Sequence, residues 1–156
     1  MPRVTFIPRH VAESMSPPHD TRHLLISIAQ PGGKPAINHW ANRERFRFDD
    51  VETPVPGAVM FTVDDAKPLL WVLSCVRPDD LYVHCDAGMS RSAAVAKWMA
   101  DRRGYGMWLH PEGIGTVEHY NRHVYRTLDA ADGRDMAAYY ADMERQDRMM
   151  GGGGGE

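Results

Sequence analysis

Between Asp65 and Arg103 the hydrophobic period of the chain changes twice, and few folds accommodate that order. Leu69, Leu70, Val72, Leu73 and Val76 form a wide apolar stripe that predicts a helix over about 65–76. With Asp64 or Asp65 as its N-cap, Pro68 falls in the first turn, where a missing N–H costs little. "RPDD" then turns the chain into Leu81–His84, a brief apolar strand. Val95, Trp98 and Met99 restore helical spacing over about 92–103, and Gly104 is placed to end that helix.

The rest of the chain repeats this alternation. Val4–Ile7 and Leu24–Ala29 are short, apolar and rich in branched residues, as strands are. Arg45–Phe48 puts Phe46 and Phe48 on one face, the pattern of a half-buried strand. "ESMSPPHD", with Pro17 and Pro18, "QPGGKPAINHW" and "VETPVPG" are breaks between elements. Val117, Tyr120, Val124 and Leu128 predict a helix over about 116–128, and Met136, Tyr139, Tyr140 and Met143 one over about 134–150. The expected fold class is α/β, with a mostly parallel central sheet flanked by helices on both faces. In such sheets ligands bind beyond the carboxyl ends of the strands.

A chain of 156 residues fits one domain over 1–150, followed by a flexible Gly-rich tail, "GGGGGE", at 151–156. A net charge of −3 gives no electrostatic reason to expect nucleic acid or an anionic membrane as partner. "MPRVTFIPRH" lacks the apolar core of a signal peptide, and runs such as Leu69–Leu73 fall far below the roughly 20 residues of a membrane span. The two cysteines, Cys75 and Cys85, cannot build a disulfide framework, which favours a reducing, cytoplasmic setting.

Cys85 ends the Leu81–His84 strand, at the edge where ligands bind, and a helix follows seven residues later. A helix N-terminus carries unpaired N–H groups and about half a unit of positive charge. A loop curled over it aims further amides inward and makes a cradle for a phosphate-sized anion. Gly88 supplies the backbone freedom for that curl, and the local field favours Cys85 as thiolate. Arg91 offers a planar fork for two phosphate oxygens, and Ser92 sets a hydroxyl beside the loop floor. Nucleophile, cradle and clamp together suit attack of sulfur on phosphorus.

"HCDAGMSRS" (His84–Ser92) resembles the His-Cys-five residues-Arg-Ser/Thr signature of the cysteine-based protein tyrosine phosphatases. "AGMSRS" is most similar to the dual-specificity branch. The resemblance implies a compact dual-specificity phosphatase-like fold and a protein phosphatase that hydrolyses phosphotyrosine, and phosphoserine or phosphothreonine, through a cysteinyl-phosphate intermediate. It implies Cys85 as nucleophile, Arg91 as phosphate clamp, and the amides of Asp86, Ala87, Gly88, Met89, Ser90 and Arg91 as the cradle. It further implies that Ser92 helps the thiolate leave and that His84 supports the loop from behind. "YNRHVYRTL" resembles the segment in which an asparagine tethers the phosphate loop, here Asn121, although Thr127 stands where relatives often carry glutamine.

Monoester cleavage also needs a proton donor for the departing oxygen. Asp64 and Asp65 suit a helix start, whereas Asp49 and Asp50 follow a strand at the same sheet edge as Cys85. Asp50 continues the phase of Phe46 and Phe48 and is the expected acid, with Asp49 in reserve. No metal and no cofactor is expected; His119 and His123 lie four apart but lack a third ligand at a telling spacing. Cys75, within an apolar stripe, reads as a buried inert thiol rather than a disulfide partner of Cys85. The resemblance implies a phosphorylated protein as partner, and a loop that carries Asp86 and no lysine argues against highly charged inositol phosphates. The alternatives are a non-catalytic phospho-binding module and a rhodanese-like sulfurtransferase, whose loops place the arginine one residue closer.

Overall fold

β1 (Arg3–Pro8) and β4 (Asp80–Cys85) run side by side and parallel in the middle of the sheet, with Pro8 opposite Cys85. The computed structural model describes residues 2–17, 22–32, 40, 42–86, 90–109, 113–115 and 117–154. β2 (His23–Ala29) flanks β4, and β3 (Arg43–Arg47) lies outside β2. β5 (Gly106–Leu109) flanks β1, and these five strands are all parallel. A short β6 (Gly113–Ile114) pairs antiparallel with β5, giving the order β3-β2-β4-β1-β5-β6. The expected α/β class with a mostly parallel sheet is what the chain forms.

Strand periodicity divides the core in two. Val4, Leu24, Ile26, Leu81, Val83 and Cys85 point to one face, where α2 (Val63–Val76), α3 (Ser90–Arg103) and α4 (Arg122–Ala131) cover them. On the opposite face Ile7 and Leu25 pack with Ala12 of the six-residue α1 (Arg9–Ser14) and with Trp40. Each fully buried aliphatic side chain contributes about 1.5–3 kcal/mol relative to exposure, so both layers stabilise the sheet. The connection after β1 therefore leaves on one face and the connection after β4 on the other. The crevice of the sheet opens between these two neighbouring strands, at Cys85.

Several boundaries differ from expectation. α2 is capped by Thr62, whose hydroxyl accepts from Asp65 N–H at 3.2 Å while Asp65 Oδ2 accepts from Thr62 N–H at 2.9 Å. This reciprocal box places Asp65 at the third helical position instead of the cap. Pro68 consequently sits in the second turn, and Asp64 loses the main-chain donor that a residue there would provide. α4 begins at Arg122, not 116, because Asn121 is extended (φ −70°, ψ 107°) and its side chain accepts from Val124 N–H. Residue 116 lies outside the described residues, as do 18–20 and 33–39 of the two expected Pro- and Gly-rich breaks. α1, β5 and β6 were not expected, and β3 begins and ends earlier than 45–48.

α3 starts two residues before expectation and ends at Gly104, whose φ of +72° is the left-handed conformation that closes a helix. The last helix, α5 (Arg134–Gly154), continues past 150 into the expected tail. Propagating a formed helix adds one hydrogen bond per residue, which is how its geometry reaches into glycines that would not nucleate it. Among the described residues no helix is long and apolar enough to cross a membrane.

Candidate active site

The last residue of β4 is Cys85, 1 % exposed and packed on the face that α3 covers. Arg91 and Ser92 lie in the first turn of α3, and both are buried. The Cys85 thiol and the Ser92 hydroxyl are 3.3 Å apart, within hydrogen-bond reach for sulfur. Arg91 Nη1 donates to the Phe48 carbonyl at 2.6 Å, while its buried Nε meets no partner among the described residues. A buried guanidinium that donates to a single carbonyl keeps spare donors. Of the expected cradle, Asp86, Ser90 and Arg91 are placed, and Ala87, Gly88 and Met89 lie outside the described residues.

The segment after β3 is drawn to this loop from two directions. Phe48 is buried against Phe61, with ring centroids 4.7 Å apart, which fixes the carbonyl that Arg91 holds. Asp50 is exposed, and its Oδ1 accepts from Asn121 Nδ2 at 2.8 Å. The main-chain N–H of the fully buried Asn121 donates to the Ser90 carbonyl at 3.0 Å. Its Nδ2 also reaches the Val51 carbonyl at 3.2 Å, and its Oδ1 caps α4. One side chain and its amide thus join Asp50 to the start of α3. Asp49 is engaged elsewhere: Oδ2 accepts from Val59 N–H at 2.7 Å, and its own N–H donates to the Val59 carbonyl at 2.7 Å. The two aspartates are therefore separated by partner, and Asp50 is the one tied to the loop.

His84 lies on the opposite sheet face, fully buried, with Nε2 2.5 Å from Ser27 Oγ and Nδ1 3.4 Å from the Cys85 carbonyl. Burial pulls its pKa below the ordinary histidine value, outweighing the Cys85 carbonyl contact, so the ring is neutral near pH 7. Asp86 Oδ1 pairs with Arg9 Nη1 at 2.8 Å and Oδ2 accepts from Gln30 N–H at 2.7 Å. Burial alone would raise its pKa, but the Gln30 amide and the Arg9 guanidinium hold the carboxyl below its usual range. Neither Arg9 nor Gln30 was expected here. Both directly follow strands that were, so strand ends in a parallel sheet were the available signal.

Other expectations are corrected. Cys75 is an exposed free thiol, not a buried one, at the end of α2 remote from the carboxyl edge where buried Cys85 lies. Burial of its sulfur, with Asp147 nearby, still raises its pKa. His119 precedes α4, so the histidines do not share a helix face, and His123 Nε2 lies 2.7 Å from the Phe61 carbonyl. Among the described residues no three His, Cys, Asp or Glu side chains cluster as metal ligands do. The Thr127 hydroxyl donates to the His123 carbonyl within α4. A hollow of about 360 Å³ lined by Pro2, Leu70, Arg77, Asp79 and Tyr105 opens at the amino ends of β1 and β4, away from Cys85. Comparison with known proteins finds no matching family model, curated protein or solved structure.

Proposed function

We propose that the chain is a cysteine-dependent phosphatase, a phosphoric monoester hydrolase of the dual-specificity kind acting on phosphorylated protein in the cytoplasm. The observation that carries the proposal is the grouping of the Cys85 thiol, the Ser92 hydroxyl at 3.3 Å and a buried Arg91 whose Nε meets no partner among the described residues. Cys85, as thiolate, attacks phosphorus; the S–P bond forms as the bond from phosphorus to the leaving oxygen breaks. Arg91 and the loop amides hold the equatorial oxygens, where charge gathers. Asp50 gives its proton to the leaving oxygen. A water then attacks phosphorus and passes a proton back to Asp50 as the P–S bond breaks. Ser92 donates to the sulfur as it regains negative charge, and inorganic phosphate departs.

The tie between Asp50 and the start of α3 favours turnover over a non-catalytic phospho-binding module, which has no use for an acid held there. The resemblance and a loop without lysine favour protein over polyphosphorylated small molecules; Asp86 does not, because Arg9 compensates its charge. The test is aryl phosphate hydrolysis without added metal. Cys85→Ser abolishes turnover, Asp50→Ala lowers it by roughly 10²–10⁴-fold, and Asp49→Ala leaves it near wild type. Vanadate inhibits. Thiosulfate turnover without ester hydrolysis would instead identify a sulfurtransferase, and loss confined to Asp49→Ala would move the acid by one residue.

A further inference from the structure

Arg9 takes no part in the proposed reaction steps, yet it sits at the crevice. Pro8 is opposite Cys85 in parallel register, so the next residues, Arg9 and Asp86, emerge together at the carboxyl edge. Their side chains are only 12 % and 18 % exposed and meet at 2.8 Å. Arg9 Nε also pairs with Glu13 at 3.0 Å, one turn along α1. The other Asp86 oxygen holds Gln30 N–H, and the Gln30 carbonyl accepts from Arg47 at 3.2 Å. A chain of polar contacts thus crosses the ends of β3, β2, β4 and β1, with the carboxylate next to the nucleophile at its centre.

An ionised carboxylate one residue from Cys85 repels any oxyanion that settles there, and its partial burial limits screening by solvent. Both of its oxygens are engaged, and a guanidinium supplies the opposite charge. We propose that Arg9 is a positioning residue of this site, which orients Asp86 and cancels its charge so that an oxyanion can occupy the cradle. The inference rests on the phosphatase reading of the loop. It adds to that reading a charge condition set from the start of α1, outside the loop itself.

The test is calorimetric binding of inorganic phosphate to the full chain at low salt. Arg9→Met weakens binding on the order of tenfold, and the loss shrinks as salt rises. Arg9→Lys keeps most of the affinity. Arg9→Met with Asp86→Asn regains most of what Arg9→Met alone loses, although the contact is still absent. Wild-type affinity in Arg9→Met, or no recovery in the double variant, overturns the inference. A wild-type protein that binds no phosphate instead removes the phosphatase reading, and this inference with it.

Discussion

At the scale of single residues, the site depends on ionisable groups held in unlike surroundings. Arg91 is buried with donors to spare, Asp86 is half-buried with its charge matched, and Asp50 is exposed with one oxygen bound. His84 differs again, because burial makes its charged form unfavourable in the fold. Its folded pKa lies below the unfolded value of about 6.5, so the unfolded state takes up the proton first. Its contribution to stability is therefore complete above that value and declines as pH falls through and below it. Denaturant unfolding between pH 8 and pH 5 should show this decline, with His84→Asn, which keeps a polar contact to Ser27, flattening part of the slope. An unchanged slope in the variant would mean that other groups set it.

Among elements, Asn121 is the junction between the acid segment and the phosphate loop. It caps α4, holds Asp50 and Val51, and holds Ser90 through its main chain. The capping and tethering roles are separable by substitution. Asn121→Ser keeps a capping oxygen and loses the amide donor, whereas Asn121→Ala loses both. Ala should cost about 1 kcal/mol more stability than Ser, measured by denaturant unfolding, with both losing rate to a similar degree because Asp50 is released in each. A Ser variant with wild-type rate would show that the tether does not position the acid.

The loop itself was legible because its residues are contiguous and their chemistry is local. Asn121 was legible only by resemblance, since Asp50 is 71 positions away, and Arg9 was not legible at all, its partner being 77 positions away. Nothing local marks a partner at that range. The early start expected for α4 has another origin: Val117 and Tyr120 do pack against the core, but from non-helical backbone. Periodicity reports burial, not main-chain conformation. Cys75 is exposed for a related reason: the apolar stripe of α2 loosens at its end, where Val76 is 40 % exposed.

On the scale of the molecule, the topology gathers the site. Connections leaving adjacent β1 and β4 on opposite faces open a crevice at Cys85. The strand order brings the ends of β2 and β3 to the same edge, supplying Gln30 and the Phe48–Asp50 segment. The sheet was predictable from alternating periods, but its order was not, since strand neighbours depend on packing far apart in the chain. The central claim is that Cys85 carries the phosphoryl group between two half-reactions. Acid quench during aryl phosphate turnover, followed by peptide mass analysis, tests it most directly. One phosphoryl group on the peptide containing Cys85, absent from Cys85→Ser, is the predicted result; undiminished turnover in Cys85→Ser, or a phosphoryl group on another residue, would contradict it.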